Sequence, residues 1–245
     1  MMLKKACSIF ACAAAAAVLL SCAETPPASA PIPRTVAQAS NTIALKATYD
    51  QLGATGGKVM TLDPDTSTVR IYVFRAGQAA KVGHNHVLSS PHFTGYFHLP
   101  ASGAAAARFD LEFRLDQLEI DNPAYRATLG PAFASPVSTD AVEAIRKHML
   151  SNENMQADRF PLVRVHSVEI AGEAPRFAAK VQFEMHGQTR EILVPLVVEG
   201  LPERLSVSGA VVLRQTDFGV VPFSLLGGLI AVKDEVVVEF KLVGA

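Results

Sequence analysis

The chain has 245 residues, of which 49% are hydrophobic and only 18% are charged, and its formal net charge is −1. The sequence has no basic cluster of the kind that neutralises phosphates, which excludes nucleic acid as an expected partner. The length suits one well-buried domain with a tail and does not require a second large domain.

The first 21 residues have the parts of a secretory signal peptide. Lys4 and Lys5 precede an apolar run over residues 9–20, which is too short to span a bilayer as a mature helix. The run ends in Leu-Leu-Ser-Cys at residues 19–22, which resembles the lipobox of bacterial lipoproteins. The resemblance implies that residues 1–21 are removed and that Cys22 is acylated. The alternative is an ordinary signal peptide followed by an incidental cysteine.

The other two cysteines, Cys7 and Cys12, lie in the segment that this cleavage removes. The mature chain would then hold one thiol and no intramolecular disulfide, and a free thiol is a liability in an oxidising compartment. Acylation of Cys22 removes that thiol and supplies a membrane anchor. We therefore expect a lipoprotein of the bacterial cell envelope. Ala23 follows the cysteine, where aspartate often marks inner-membrane retention in enteric bacteria, and this resemblance favours the outer membrane, facing the periplasm.

Residues 22–57 are predicted to form a flexible tether. Residues 23–41 are rich in Pro, Ala and Ser and have no apolar period, which is typical of an extended linker. Gly53, Gly56 and Gly57 favour a loop over the rest of the segment. The ordered domain is predicted to cover residues 58–245.

Alternation of apolar and charged residues dominates this domain. Over residues 108–115 every odd position is apolar and every even position is charged, which predicts a strand with two distinct faces. Residues 176–185 and 235–242 repeat the pattern. The other predicted strands are residues 69–75, 93–99, 162–170, 191–199 and 204–213.

The predicted strands are joined mostly by short polar turns, which favour antiparallel hairpins. One short helix is predicted where Asp140 acts as N-cap and Glu143 follows three residues later. The sequence therefore predicts an all-β fold, a closed antiparallel barrel of about eight strands. Alternation alone leaves open whether the interior is a packed core or holds a ligand.

Six segments, in this order, resemble the YceI-like polyisoprenoid-binding family. The resemblance extends over about residues 58–244 and rests on the set as a whole, because each motif alone is weak. The segments are MTLDPDTSTV at residues 60–69, GHNH at 83–86, FTGYF at 93–97, ADRFP at 157–161, MHGQTR at 185–190 and TDFG at 216–219.

The family resemblance implies a lipocalin-like barrel with an elongated apolar interior that takes an isoprenoid chain, without cofactor or covalent chemistry. Binding of such a chain must come from apolar contact area, at about 25 cal/mol per Å² before entropic costs. On the first strand, Ile71 and Val73 compete with Tyr72 and Phe74 for the inner face. The predicted lining residues are Phe109, Leu111, Phe113, Leu115, Val181, Phe183, Val236, Val238 and Phe240.

Residues 121–139 depart from the commonest family pattern. They contain Asn-Pro-Ala-Tyr and Gly-Pro-Ala-Phe in a long irregular stretch, which either caps the barrel mouth or forms a surface loop.

The alternative function is a metal-binding or protein-interaction module of the envelope that uses His84 and His86. Side chains at positions i and i+2 of a strand point the same way, so the two imidazoles can share a metal with His92 or an acid as third ligand. The competing interpretation is that they only form hydrogen bonds.

No enzyme is predicted, because Asp217-Phe218-Gly219 lacks the other kinase motifs and no Gly-x-Ser-x-Gly elbow occurs. A homodimer remains an open possibility.

Overall fold

The structure, a computed structural model, describes residues 34–245, with side-chain positions from Ala44 onward. The predicted signal peptide, Cys22 and the first part of the predicted tether lie outside the described residues. Within residues 34–245, no helix combines the length and the apolar character needed to cross a bilayer.

The described part of the chain forms one curled antiparallel sheet of twelve strands. Each of the eight predicted strands is present, and the alternating stretch at residues 108–115 is β5. The strands are β1 Lys58–Thr61, β2 Thr68–Ala76, β3 His86–Ser89, β4 Thr94–Leu99, β5 Arg108–Arg114, β6 Glu119–Ile120, β7 Leu162–Glu173, β8 Arg176–Met185, β9 Gln188–Glu199, β10 Leu205–Arg214, β11 Ser224–Leu225 and β12 Ile230–Gly244.

The four strands that the sequence missed, β1, β3, β6 and β11, have only two to four residues each. Segments this short cannot display a period of two against their neighbours, so only their pairing partners identify them as strands.

Neighbouring strands follow the order β1-β4-β5-β7-β8-β9-β10-β12-β2-β3-β6, with β11 paired to β12. The curl brings the end of β1 to the end of β12. Thr61 N donates to Ala245 O at 3.0 Å and Asp63 N donates to Val243 O at 2.8 Å. The all-β antiparallel class is confirmed. The sheet forms a half-barrel in which one edge, at β1, meets the C-terminal end of β12 through these few bonds, an arrangement compatible with the predicted closed barrel.

The prediction of a flexible tether is wrong for residues 34–54, which form helix α1, Arg34–Ala54. Tyr49 of this helix is 1% exposed. Its hydroxyl donates to Asp110 Oδ2 at 2.8 Å, and its ring stacks on Tyr96 at 5.3 Å between centroids. These contacts hold α1 on the outer faces of β4 and β5. They were not predictable because the partners lie far away in the sequence.

The predicted helix is present as α3, Thr139–Leu150, but its cap differs from the prediction. The Ser138 hydroxyl accepts the Ala141 N–H at 3.2 Å, so Ser138 is the N-cap. Asp140 instead lies in the first turn, where a carboxylate favours the positive end of the helix dipole. With α1 and the four-residue α2, Pro123–Arg126, the described region has more than the single helix predicted.

Residues 121–139 do not cap the cavity mouth. Phe133 from this segment packs with Tyr72 and Val87 in a buried cluster on the outer face of β2 and β3. Of the two interpretations of this segment, the surface loop therefore agrees with the structure. The end of the half-barrel is covered instead by α3, whose Val142, Ile145 and Met149 pack against the main core.

Candidate functional site

The curl of the sheet encloses an elongated cavity of about 470 Å³. Its wall is built by alternate residues of the long strands, since side chains at i and i+2 share a face. All nine residues predicted to line the interior lie on this wall: Phe109, Leu111, Phe113, Leu115, Val181, Phe183, Val236, Val238 and Phe240.

The residues that pack around β2 decide which of its two faces points into the cavity. Val69, Ile71 and Val73 of β2 line the cavity. Tyr72 points the other way, and its ring meets Phe133 edge-on at 5.8 Å. The sequence could not choose between these faces because both are apolar, and the outer one is covered by a segment about 60 residues further along the chain.

The cavity wall is almost entirely hydrocarbon. Among the described residues that line it, none is Asp, Glu, Lys or Arg, and none carries a hydroxyl or thiol. Hydrogen bonds to backbone oxygens occupy two of the polar side chains, because Asn154 Nδ2 donates to Val221 O at 3.0 Å and Gln215 Nε2 donates to Lys233 O at 2.8 Å. An ionised group deep inside would lack a partner, which is costly at low dielectric.

Helix α3 and the loop between β10 and β12 form one end of the cavity. Ile145, His148 and Met149 of α3 line it, together with Phe223 of the loop. The rings of His148 and Phe223 meet edge-on at 5.0 Å. The helix that the sequence predicted therefore contributes to the cavity, although none of its residues was predicted as lining.

A buried hydrogen-bond network begins at the cavity wall at β3, where His86 is one of the lining residues. His86 Nδ1 and Asp121 Oδ2 are hydrogen-bonded at 2.6 Å, and Arg126 Nη1 donates to Asp121 Oδ1 at 2.5 Å. Arg126 also donates to the backbone oxygens of Asn85, Phe133 and Ser135. This network anchors residues 121–139 to the sheet.

The pKa of Asp121 is lowered from its ordinary value. Burial of the carboxyl raises its pKa, but the hydrogen bonds from His86, the Val87 N–H and Arg126 together outweigh that effect. Sequence reasoning missed Asp121 and Arg126, because neither belongs to a periodic segment and their pairing spans a turn.

The structure does not bring His84 and His86 together with a third ligand. His84 Nδ1 is 3.0 Å from Ser135 Oγ, and His86 is bonded to Asp121. Over residues 34–245 no group of three His, Cys, Asp or Glu side chains is arranged to hold a metal ion. Both imidazoles have protein partners, in agreement with the hydrogen-bonding interpretation.

Three of the six segments that carry the family resemblance meet in space. The Phe160 and His186 rings lie edge-on at 5.3 Å, and His186 Nδ1 is 2.9 Å from Phe218 O. Gly187 has a φ of +71°, and a Cβ there would come within 2.6 Å of the Phe160 ring. These residues join the β8–β9 hairpin to the turns before β7 and after β10.

Comparison with known proteins gives the same architecture. The crystal structure of BcnA from Burkholderia cenocepacia is similar with a TM-score of 0.55 at 15% sequence identity, covering 74% of this chain and 98% of that one. A polyisoprenoid binding domain from Saccharophagus degradans, implicated in plant cell wall breakdown, is similar with a TM-score of 0.52 at 13% identity, covering 76% of this chain and 97% of that one. At these identities the likeness shows the fold alone.

Comparison with curated proteins gave no match. A family profile described as a YceI-like domain matches residues 60–244, which is most of the chain and nearly the whole sheet. The half-barrel, its apolar cavity and this match agree with the resemblance carried by the six sequence segments. The chain therefore belongs to the YceI-like domain family.

Proposed function

We propose that this protein is a non-catalytic lipoprotein of the bacterial cell envelope that binds a long apolar lipid of the isoprenoid type in its cavity. The observation that carries the proposal is the composition of the wall. It offers hydrocarbon along the strands, and no Asp, Glu, Lys or Arg occurs among the described lining residues. A chain of methyl and methylene groups gives up no hydrogen bonds to water when it enters such a space, so its transfer into the cavity is favourable.

The structural likeness to a polyisoprenoid binding domain supports this ligand class, because that domain has the same fold. The cavity of this chain restricts the ligand further. Any charged head group would have to remain at the mouth, so an uncharged head, such as that of a quinone, suits the interior better than a phosphate ester does.

The non-catalytic part of the proposal rests on the same wall. No hydroxyl, thiol, amine or carboxylate that a base could activate as a nucleophile occurs among the described lining residues. The two lining imidazoles contact protein groups, His86 through Asp121 and His148 through the Phe223 ring. Acylation of Cys22 would keep the domain close to the membrane in which isoprenoid lipids dissolve. A carrier, a store and a sensor all fit this arrangement.

To test the proposal, the protein is purified from its native host. Its bound lipid is then extracted with organic solvent and identified by mass spectrometry. Adjacent residues of β10 provide matched variants, because Val211 lines the cavity whereas Val212 is 59% exposed on the outer face. Val211→Trp fills the cavity and is expected to reduce the co-purified isoprenoid several-fold. Val212→Trp is expected to retain it.

Two results would overturn the lipid proposal. One is native protein that carries no long-chain lipid and gains no stability from added isoprenoid. The other is equal loss of lipid in both tryptophan variants while both remain folded, since that outcome would place the lipid outside the cavity.

A further inference from the structure

A cluster of exposed apolar side chains lies beside the end of the cavity that α3 covers. No charged residue occurs over residues 218–232. Part of this stretch nevertheless faces solvent, and the backbone bond from Ala79 N to Leu229 O, 2.8 Å, joins it to the turn after β2. We call this cluster the apolar rim; its residues are Val82, Val221, Leu225, Leu226 and Leu229.

The rim is not explained by the stability of the fold. Leu226 is 72% exposed and has a φ of +51°, in the left-handed region that leucine rarely adopts. A polar residue or glycine would suit an exposed position of this conformation better. A backbone strained in order to present an apolar side chain to solvent is typical of a binding surface.

The rim is continuous with the cavity. Phe223 and Val232 belong to the same uncharged stretch and line the cavity wall. The stretch is fixed to the α3 end by the Phe223–His148 ring contact and by the bond from Asn154 Nδ2 to Val221 O. A surface that docks on the rim therefore lies next to the cavity end.

Two exposed lysines flank the rim, whereas the acidic Asp217 and Glu235 both lie beside Arg214. Lys81 is exposed beside Val82, and Lys233 is exposed where the uncharged stretch ends. The acidic neighbour Asp234 is turned back toward Thr216, accepting its N–H at 2.9 Å and its hydroxyl at 2.6 Å. Exposed apolar side chains with flanking lysines complement a bilayer that carries anionic head groups.

We propose that the apolar rim is a docking surface for a lipid bilayer, with its leucines in the interfacial layer and Lys81 and Lys233 at the head groups. Docking places the cavity end at the edge of the hydrocarbon. An isoprenoid bound in the cavity would then lie next to the lipid in which it dissolves, a consequence that rests on the proposed lipid-binding function. The docking itself requires no bound ligand, so the two proposals are tested separately.

The chain has no tryptophan, so one introduced indole is a unique fluorescent reporter. We compare full-chain Leu226→Trp with full-chain Val168→Trp. Val168 is also exposed but lies on β7, which three strands separate from β12. With vesicles that contain anionic phospholipid, Leu226→Trp is expected to shift its emission to the blue and to be quenched by brominated acyl chains, whereas Val168→Trp is not. The Val168→Trp variant controls for attachment of the protein to vesicles through its N-terminal segment.

Charge and self-association provide the remaining outcomes. In the Leu226→Trp background, Lys81→Gln is expected to weaken binding to anionic vesicles by about fivefold. If Leu226→Trp reports the same emission with and without vesicles, or if both tryptophans shift equally, the docking proposal fails. A blue shift that appears without vesicles as protein concentration rises, together with dimers in sedimentation, assigns the rim to a second copy and also overturns it.

Discussion

Asp121 lies at the centre of the buried hydrogen-bond network at β3. Its carboxylate is buried and receives hydrogen bonds from His86, from Arg126 and from the Val87 N–H. Removing one partner of a buried ion pair leaves the other charge uncompensated, which costs about 3–5 kcal/mol. Asp121→Asn is therefore expected to lower the free energy of unfolding by an amount of that order, whereas Asp65→Asn, at an exposed carboxylate, leaves it nearly unchanged. Urea denaturation at neutral pH measures both.

The same residue predicts a pH dependence. Because the pKa of Asp121 in the folded protein is lowered, the carboxylate stabilises the fold at pH values above its unfolded pKa of about 3.9. That contribution is lost as the pH falls through the lower, folded pKa. The wild-type protein should thus lose stability on acidification below about pH 4 more steeply than Asp121→Asn does. Parallel slopes for the two proteins would contradict this assignment.

At the scale of elements, helix α1 is anchored to the sheet through Tyr49. Burial and the bond to Asp110 raise the pKa of Tyr49, so its phenol remains a hydrogen-bond donor at neutral pH. Tyr49→Phe removes a bond to a charged acceptor and is expected to cost about 1.5–3 kcal/mol, and Tyr49→Ala about 3–5 kcal/mol.

Limited proteolysis checks whether α1 is released. Cleavage within residues 34–57 should become faster in the two Tyr49 variants. Thr48→Ala is the control because Thr48 is exposed on the same helix. If Tyr49→Ala is cleaved no faster than Thr48→Ala, the helix is not held by this contact.

The elements also show where pattern reasoning works. Alternation located β5, β8 and the other long strands because a half-buried strand must repeat its apolar face every two residues. It failed at α1, because the Pro-rich composition of the preceding residues was taken to continue into this segment. The helix is anchored instead through the bond from Tyr49 to Asp110, 61 residues away. Helix α3 begins two residues earlier than predicted, with Ser138 instead of Asp140 as its N-cap. Local sequence does not decide a shift of this size.

At the scale of the whole molecule, residues 22–33 would connect the described domain to the lipid proposed on Cys22. Cys22→Ser removes the proposed acylation site and is expected to move the protein from the membrane fraction to the periplasmic extract. Retention through the rim alone should be weak and sensitive to salt. The lipid content measured by mass spectrometry after purification reports the cavity separately. A released protein that had lost its affinity for lipid would show that the anchor does more than retain the domain.

The sequence by itself determined the antiparallel all-β class, the eight long strands, nine of the cavity-lining residues and the family. Each of these follows from alternation or from an ordered set of motifs, which are properties of the chain read locally. The tertiary structure decided which face of β2 is inside, the docking of α1, the partners of His84 and His86, and the position of the apolar rim beside the cavity end. These depend on contacts between residues far apart in sequence, and their energies arise only when the sheet curls and brings those residues together.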